Sequence, residues 1–207
     1  MKKRILSLVA LVSLSMVIIT SCKKKDKDED VDPSATQVCD GNGSSSYYPL
    51  AIGNSFVYTS GSSIFSLTDS VSIRFAKTFN SKSYYAEVTS NFLGLDTAYY
   101  REDATTHDIY TWNGINDALY IPGSPAINQS LPEIMGGFGF TAKVTNLSAS
   151  YTTSSCTYSN LLEITVYDSK SAVYSTLYYK KGLGKVADVY VGSSSTVETT
   201  LKSVTLK

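Results

Sequence analysis

The chain carries one histidine, His107, within Arg101-Glu102-Asp103-Ala104-Thr105-Thr106-His107-Asp108. Glu102, Asp103, His107 and Asp108 have metal-ligating side chains, and a short loop could bring its two ends together. Zinc sites draw on more His or Cys, and HExxH is absent. A polar turn between two strands explains the segment, and no metal is expected there. Serine is abundant in Ser44-Ser45-Ser46, Ser154-Ser155 and Ser193-Ser194-Ser195. None of these stands in G-x-S-x-G, and a catalytic triad would have to use His107. Gly136-Gly137-Phe138-Gly139 lacks the Lys and helix of a phosphate loop. Asp26, Asp28, Asp30 and Asp32 alternate like calcium ligands. Val31, however, stands where an EF-hand loop needs Gly, and Gln37 where it needs Glu. Carboxylates for glycoside hydrolysis must be paired in space, and the acidic residues here fall mostly in turns or at outward strand positions. The expectation is a domain with no catalytic residues and no cofactor.

The chemistry the sequence does support is covalent attachment to lipid. Met1-Lys2-Lys3-Arg4 is basic, and residues 5–19 form an apolar run too short to span a membrane. Together they read as a secretory signal peptide over residues 1–21. The ending Ile19-Thr20-Ser21-Cys22 resembles the lipobox of bacterial lipoproteins. That resemblance implies cleavage before Cys22, a diacylglycerol on its sulfur and acylation of its new amino group. Each buried methylene contributes about 0.8 kcal/mol, so two or three chains make a lasting anchor. No later stretch reaches the roughly 18 apolar residues of a membrane helix.

Residues 22–38 continue as Lys23-Lys24-Lys25-Asp26-Lys27-Asp28-Glu29-Asp30-Val31-Asp32-Pro33 and beyond. Such a charged, apolar-poor stretch is a disordered tether. It resembles the lysine-then-acidic export signal of Bacteroidetes lipoproteins, which implies the outer face of the outer membrane. Without Lys2, Lys3 and Arg4, the 18 basic residues become 15 against 18 acidic, a net charge of −3. That argues against a nucleic-acid partner. Residues 39–207 are then one domain, long enough for a sizeable core. It holds two cysteines, Cys39 and Cys156. An even pair in an oxidising compartment is expected to form a disulfide, the alternative being one buried and one exposed thiol.

The elements that position these groups read as antiparallel β. Val71, Ile73 and Phe75 alternate with polar residues, as do Leu162, Ile164 and Val166, and then Ala187, Val189 and Val191. Further strands are expected at 55–59, 84–89, 97–101, 108–112, 118–121, 175–179 and 197–205. Asn113-Gly114 marks a type I′ hairpin. No stretch keeps a helical period for three turns, and crossover helices for parallel pairing are lacking. The expected fold is all-β, an antiparallel meander forming a curved sheet, half-barrel or barrel, with a β-sandwich as the alternative. The 16 tyrosines include four adjacent pairs. Neighbours in a strand point to opposite faces, so each pair places one ring in the core and one outside. They serve either as cross-strand packing or as an aromatic platform for ligands.

Three segments carry a wider resemblance. Residues Tyr47-Tyr48-Pro49-Leu50-Ala51-Ile52-Gly53-Asn54-Ser55-Phe56-Val57-Tyr58 resemble an opening "YYPLxxGNxWxY", with Phe56 for Trp. Phe79-Asn80-Ser81-Lys82-Ser83-Tyr84-Tyr85 resembles a turn "NGKxYY", with Ser81 for Gly. Tyr178-Tyr179-Lys180-Lys181-Gly182-Leu183-Gly184-Lys185-Val186 resembles a close "YYAKGVGLV". In this order they resemble a family of uncharacterised Bacteroidetes envelope lipoproteins with a mostly antiparallel β domain. The family implies fold and address, with no activity or catalytic residue to carry over. Asp69-Ser70-Val71 and Asp96-Thr97-Ala98 also resemble the D-[S/T]-apolar sequon for O-glycosylation in such envelopes, which makes Ser70 and Thr97 candidate glycan acceptors.

The expected function is a non-catalytic binding or interaction module, anchored in the outer membrane through Cys22 and facing outward. Its ligand would be a glycan, a peptide or another envelope protein. The alternative is a carrier of a lipid or other apolar ligand, with the loop at residues 134–140 as a lid. A hydrolase using surface carboxylates, or Ser with His107, is the third reading.

Overall fold

The computed structural model describes residues 39–62, 65–134, 139–192 and 195–207. The signal peptide, Cys22 and the whole charged tether to residue 38 lie outside the described residues, as do residues 135–138 of the expected lid. The domain is all-β: β1 (Ser55–Ser62), β2 (Phe65–Phe79), β3 (Lys82–Asn91), β4 (Gly94–Glu102), β5 (Ile109–Trp112), β6 (Asp117–Ile121), β7 (Thr141–Thr152), β8 (Thr157–Tyr167), β9 (Val173–Lys180), β10 (Gly184–Val191) and β11 (Thr196–Thr205).

All eleven strands form one sheet in the order β6-β5-β4-β3-β2-β1-β11-β10-β9-β8-β7. Every neighbouring pair is antiparallel. The first and last strands pair in the middle, and β6 and β7 are the edges. A single sheet excludes the sandwich. The sheet does not close by hydrogen bonds, yet it curls. Ile109 of β5 and Ile121 of β6 share one buried cluster with Val144 of β7, Ile164 of β8 and Leu177 of β9. The two edges therefore meet through side chains. The edge of β7 is covered by the incoming loop: Asn128 N donates to Val144 O at 2.8 Å, and Leu131 N to Ala142 O at 2.9 Å. This removes an exposed edge that would template aggregation.

Register shifts at Ile73/Phe75 and Lys185/Ala187 interrupt the alternation. A bulge adds a residue to one strand, bends it and turns later side chains to the other face. Val71 and Ile73 face inward as expected, but Phe75 follows the bulge and is 46% exposed. In β10 the expected inward set Ala187, Val189, Val191 ends with Val191 at 44% exposed. Asp188 instead pairs across from Leu177 and Thr199 on the inner face. The β7 strand was not among the expected elements, because its apolar residues are diluted by Thr, Ser and Asn. The hairpin at Asn113 is also different from the expectation. Four residues separate β5 and β6, and Asn113 Oδ1 accepts from the backbone of Ile115 and Asn116, both at 3.1 Å. Only Gly114 there has positive φ (96°), so a side-chain cap replaces the type I′ turn.

Candidate functional site

Phe56, Tyr58, Asp69, Val71, Glu87, Thr89 and Thr199 point to the same face of neighbouring strands, with pairs such as Phe56↔Val71, Tyr58↔Asp69 and Val71↔Thr89. Curling of the sheet brings them against Tyr179 of β9, Lys185 of β10, Tyr100 of β4 and Tyr120 of β6. These side chains, with Tyr48 and Pro49, line an open-mouthed cavity of about 240 Å³.

The N-terminal segment forms one wall. Gly182 N donates to Ser46 O at 2.7 Å, and Asn42 N to Gly182 O at 3.1 Å. Gly182 has φ 72°, and a Cβ there would lie 2.7 Å from Asn42 Oδ1, so glycine lets the segment pass. Asn54 is buried; its Nδ2 donates to Pro49 O, and its Oδ1 accepts from Lys207 N, both at 2.8 Å. One amide thus pins both ends of the domain beside the cavity. The opening and closing motifs of the sequence, distant in the chain, meet here.

Three tyrosines pack ring to ring: Tyr48 with Tyr100 at 4.8 Å, Tyr48 edge-on to Tyr120 at 6.1 Å, and Tyr100 with Tyr120 at 5.1 Å. The Tyr48 hydroxyl donates to Glu87. The Tyr120 and Tyr179 hydroxyls share a hydrogen bond at 3.3 Å, and Tyr58 OH donates to Lys185 O at 3.1 Å. Lys185 Nζ lies 5.4 Å from the Tyr58 ring centre and 4.0 Å from Asp188 Oδ2. Asp188 Oδ1 is buried with no hydrogen-bond partner among the described residues. Burial raises the Glu87 pKa, against the lowering effect of Tyr48 and Lys185. Burial likewise raises that of Asp188, against Lys185. Burial also raises the pKa values of the Tyr48, Tyr100, Tyr120 and Tyr179 hydroxyls.

Glu87, Lys185 and Asp188 were not singled out in the sequence, and the expected outward placement of acidic residues fails at Glu87 and Asp188. The alternation Tyr84, Ala86, Val88 marks an apolar face, and a half-buried strand would turn that face to the core. Here that face is buried beneath a second aromatic cluster. Phe79 stacks on Trp112 at 4.9 Å, and both contact Tyr84. Tyr84 is fully buried on that outer side, which leaves Glu87 facing the cavity. Of the tyrosine pairs, Tyr99 joins this outer cluster and Tyr100 the cavity, as strand alternation requires.

The other sequence candidates lie elsewhere. Cys39 and Cys156 are joined in a disulfide, with Cα atoms 5.7 Å apart across a separation of 117 residues. Ser70 and Thr97 are both exposed. The register places them on one face, opposite to the cavity-lining Asp69. His107 Nδ1 lies 2.7 Å from Glu102 Oε1. Asp103 Oδ1 accepts from the backbone of Thr105 and Thr106, and Asp108 Oδ1 from Gly123 N. These carboxylates hold a turn together, and no group of three metal-ligating side chains occurs among the described residues.

No protein-family model and no curated protein matches the chain. Among solved structures it is similar to a Bacteroides fragilis protein described as exported and as having a YmcC-like fold. Identity is 8% and the TM-score 0.49, over 76% of this chain and 98% of that one. It is also similar to a protein described as a lipoprotein from Parabacteroides distasonis. Identity there is 12% and the TM-score 0.42, over 82% of this chain and 100% of that one. Neither reaches a TM-score of 0.5, and neither bears on what the cavity binds.

Proposed function

We propose that the chain is a lipid-anchored binding protein, held in the outer membrane through Cys22 and facing outward, that takes a small polar ligand in its tyrosine-lined cavity without transforming it. The observation that carries this reading is the cavity itself. Five tyrosines, two carboxylates and one ammonium converge from strands far apart in sequence on about 240 Å³ of space. A few placed polar groups within aromatic walls are the usual make-up of a ligand site. An apolar ligand is disfavoured, because it would strip water from Glu87 and Lys185 without replacing the lost hydrogen bonds. The address rests on the signal-like start, the Cys22 ending and the charged tether.

Two measurements test it. Native mass spectrometry of the protein purified from its own cells, with thermal unfolding against a small-molecule panel, should reveal a saturable polar ligand. Co-purified lipid displacing water from the cavity would favour the carrier instead. For the address, a tag after Lys207 should be lost when intact cells meet a protease too large to cross the outer membrane, with a periplasmic control spared. A protected tag would leave the tether as a spacer.

A further inference from the structure

We infer that the ligand of this cavity is a small organic cation, an ammonium or guanidinium group seated between the tyrosine rings and Glu87. The inference rests on reading the cavity as a ligand site.

The argument is one of charge. Asp69, Glu87 and Lys185 line the cavity, and Asp188 adjoins Lys185 at 4.0 Å. Two carboxylates and one ammonium thus line the cavity, and that ammonium is already shared with a third carboxylate, Asp188, outside the lining. Charge removed from water needs a partner. Lys185 supplies one, the Tyr48 hydroxyl gives Glu87 a neutral donor, and Asp188 Oδ1 is buried with no partner among the described residues. Burial makes Glu87 and Asp188 harder to ionise, while Lys185 works the other way on both, so positive charge brought near them favours their ionised forms. An incoming cation would supply it. The walls also suit a cation in shape, because ring faces attract positive charge. Lys185 Nζ over the Tyr58 ring at 5.4 Å is an instance within the cavity wall. A neutral polyol could bond to the hydroxyls but would leave the surplus charge in place. An anion would be repelled, and a hydrocarbon would desolvate the carboxylates.

The test uses the mature acylated protein in detergent. Thermal unfolding is followed with choline, putrescine and argininamide, each against sodium chloride at matched ionic strength, and with D-glucose and D-galactose as neutral probes. The expected result is a saturable rise in Tm with at least one cation and none with sugar. Glu87→Gln and Asp188→Asn, which keep side-chain shape, should each weaken that binding by about tenfold or more. Without ligand, their Tm should be unchanged or higher, since each removes a partly buried carboxylate that desolvation makes harder to ionise. A residue with a merely structural role would instead lower Tm. A saturable shift with sugar alone overturns the cation and leaves the binding reading standing. A cation shift indifferent to both substitutions overturns the site. Silence across the panel overturns both.

Discussion

Asp117 receives Arg101, Lys82 and the Tyr84 hydroxyl on one carboxylate, with Arg101 Nε 3.0 Å from Oδ2 and 3.1 Å from Oδ1. Burial opposes its ionisation, but hydrogen bonds from Arg101, Lys82 and Tyr84 outweigh this and hold its pKa at about 2. Asp117→Ala would leave a largely buried Arg101 without its partner and should lower stability by about 2–4 kcal/mol in chemical denaturation. The pH dependence follows from the signs. An unfolded aspartate titrates near 3.9. The Asp117 contribution is therefore complete above about pH 4 and is lost as pH falls through about 2. Glu87 and Asp188 act oppositely, because their native pKa values are raised. Their contribution is complete below about pH 4 and declines as pH rises through the native values. Calorimetry should show a mildly acidic optimum, and the Glu87→Gln, Asp188→Asn double variant should flatten the decline toward neutrality. An unaltered decline would assign it to other groups.

At the scale of elements, two hairpin signals illustrate what local sequence can and cannot decide. Asn80 and Ser81 between β2 and β3 have φ of 47° and 61°, the left-handed pair of a type I′ turn. Ser81→Gly should relieve that backbone, raising stability by up to about 1 kcal/mol, read as a higher denaturant midpoint at constant slope. Asn113-Gly114 carried the stronger sequence signal, yet Asn113 caps a four-residue loop instead. Two residues cannot announce which side-chain cap a longer loop will prefer. Strand position was readable wherever apolar residues alternated, as at Leu162, Ile164 and Val166, which are fully buried. Beyond a bulge that reading inverts, as at Phe75.

Over the whole molecule, the pairing of β1 with β11 and the disulfide between Cys39 and Cys156 fasten the start of the described domain to its later half. A cross-link spanning 117 residues restricts the unfolded chain strongly. Its removal in a Cys39→Ser, Cys156→Ser variant should lower stability by about 4–5 kcal/mol, or less where the unfolded chain keeps structure. Denaturant titration reads that loss. The N-terminal segment bearing Tyr48 follows Cys39 directly, so the same variant should weaken ligand binding through a loosened cavity wall.

Composition, alternation and the missing helical period determined that this domain is antiparallel β, since side-chain direction in a strand follows a local rule of period two. The even number of cysteines and the expected oxidising compartment pointed to their pairing, an argument from composition rather than from local geometry. The identity of the inner face was decided only by the tertiary structure. A second aromatic cluster around Phe79, Tyr84 and Trp112 buries the face that alternation marks as core. Glu87 was thereby turned inward to meet Tyr48, and the bulge between Lys185 and Ala187 turned Asp188 inward beside Lys185. Which of a sheet's two faces becomes concave depends on curl and bulges summed over eleven strands, and no single segment carries that information.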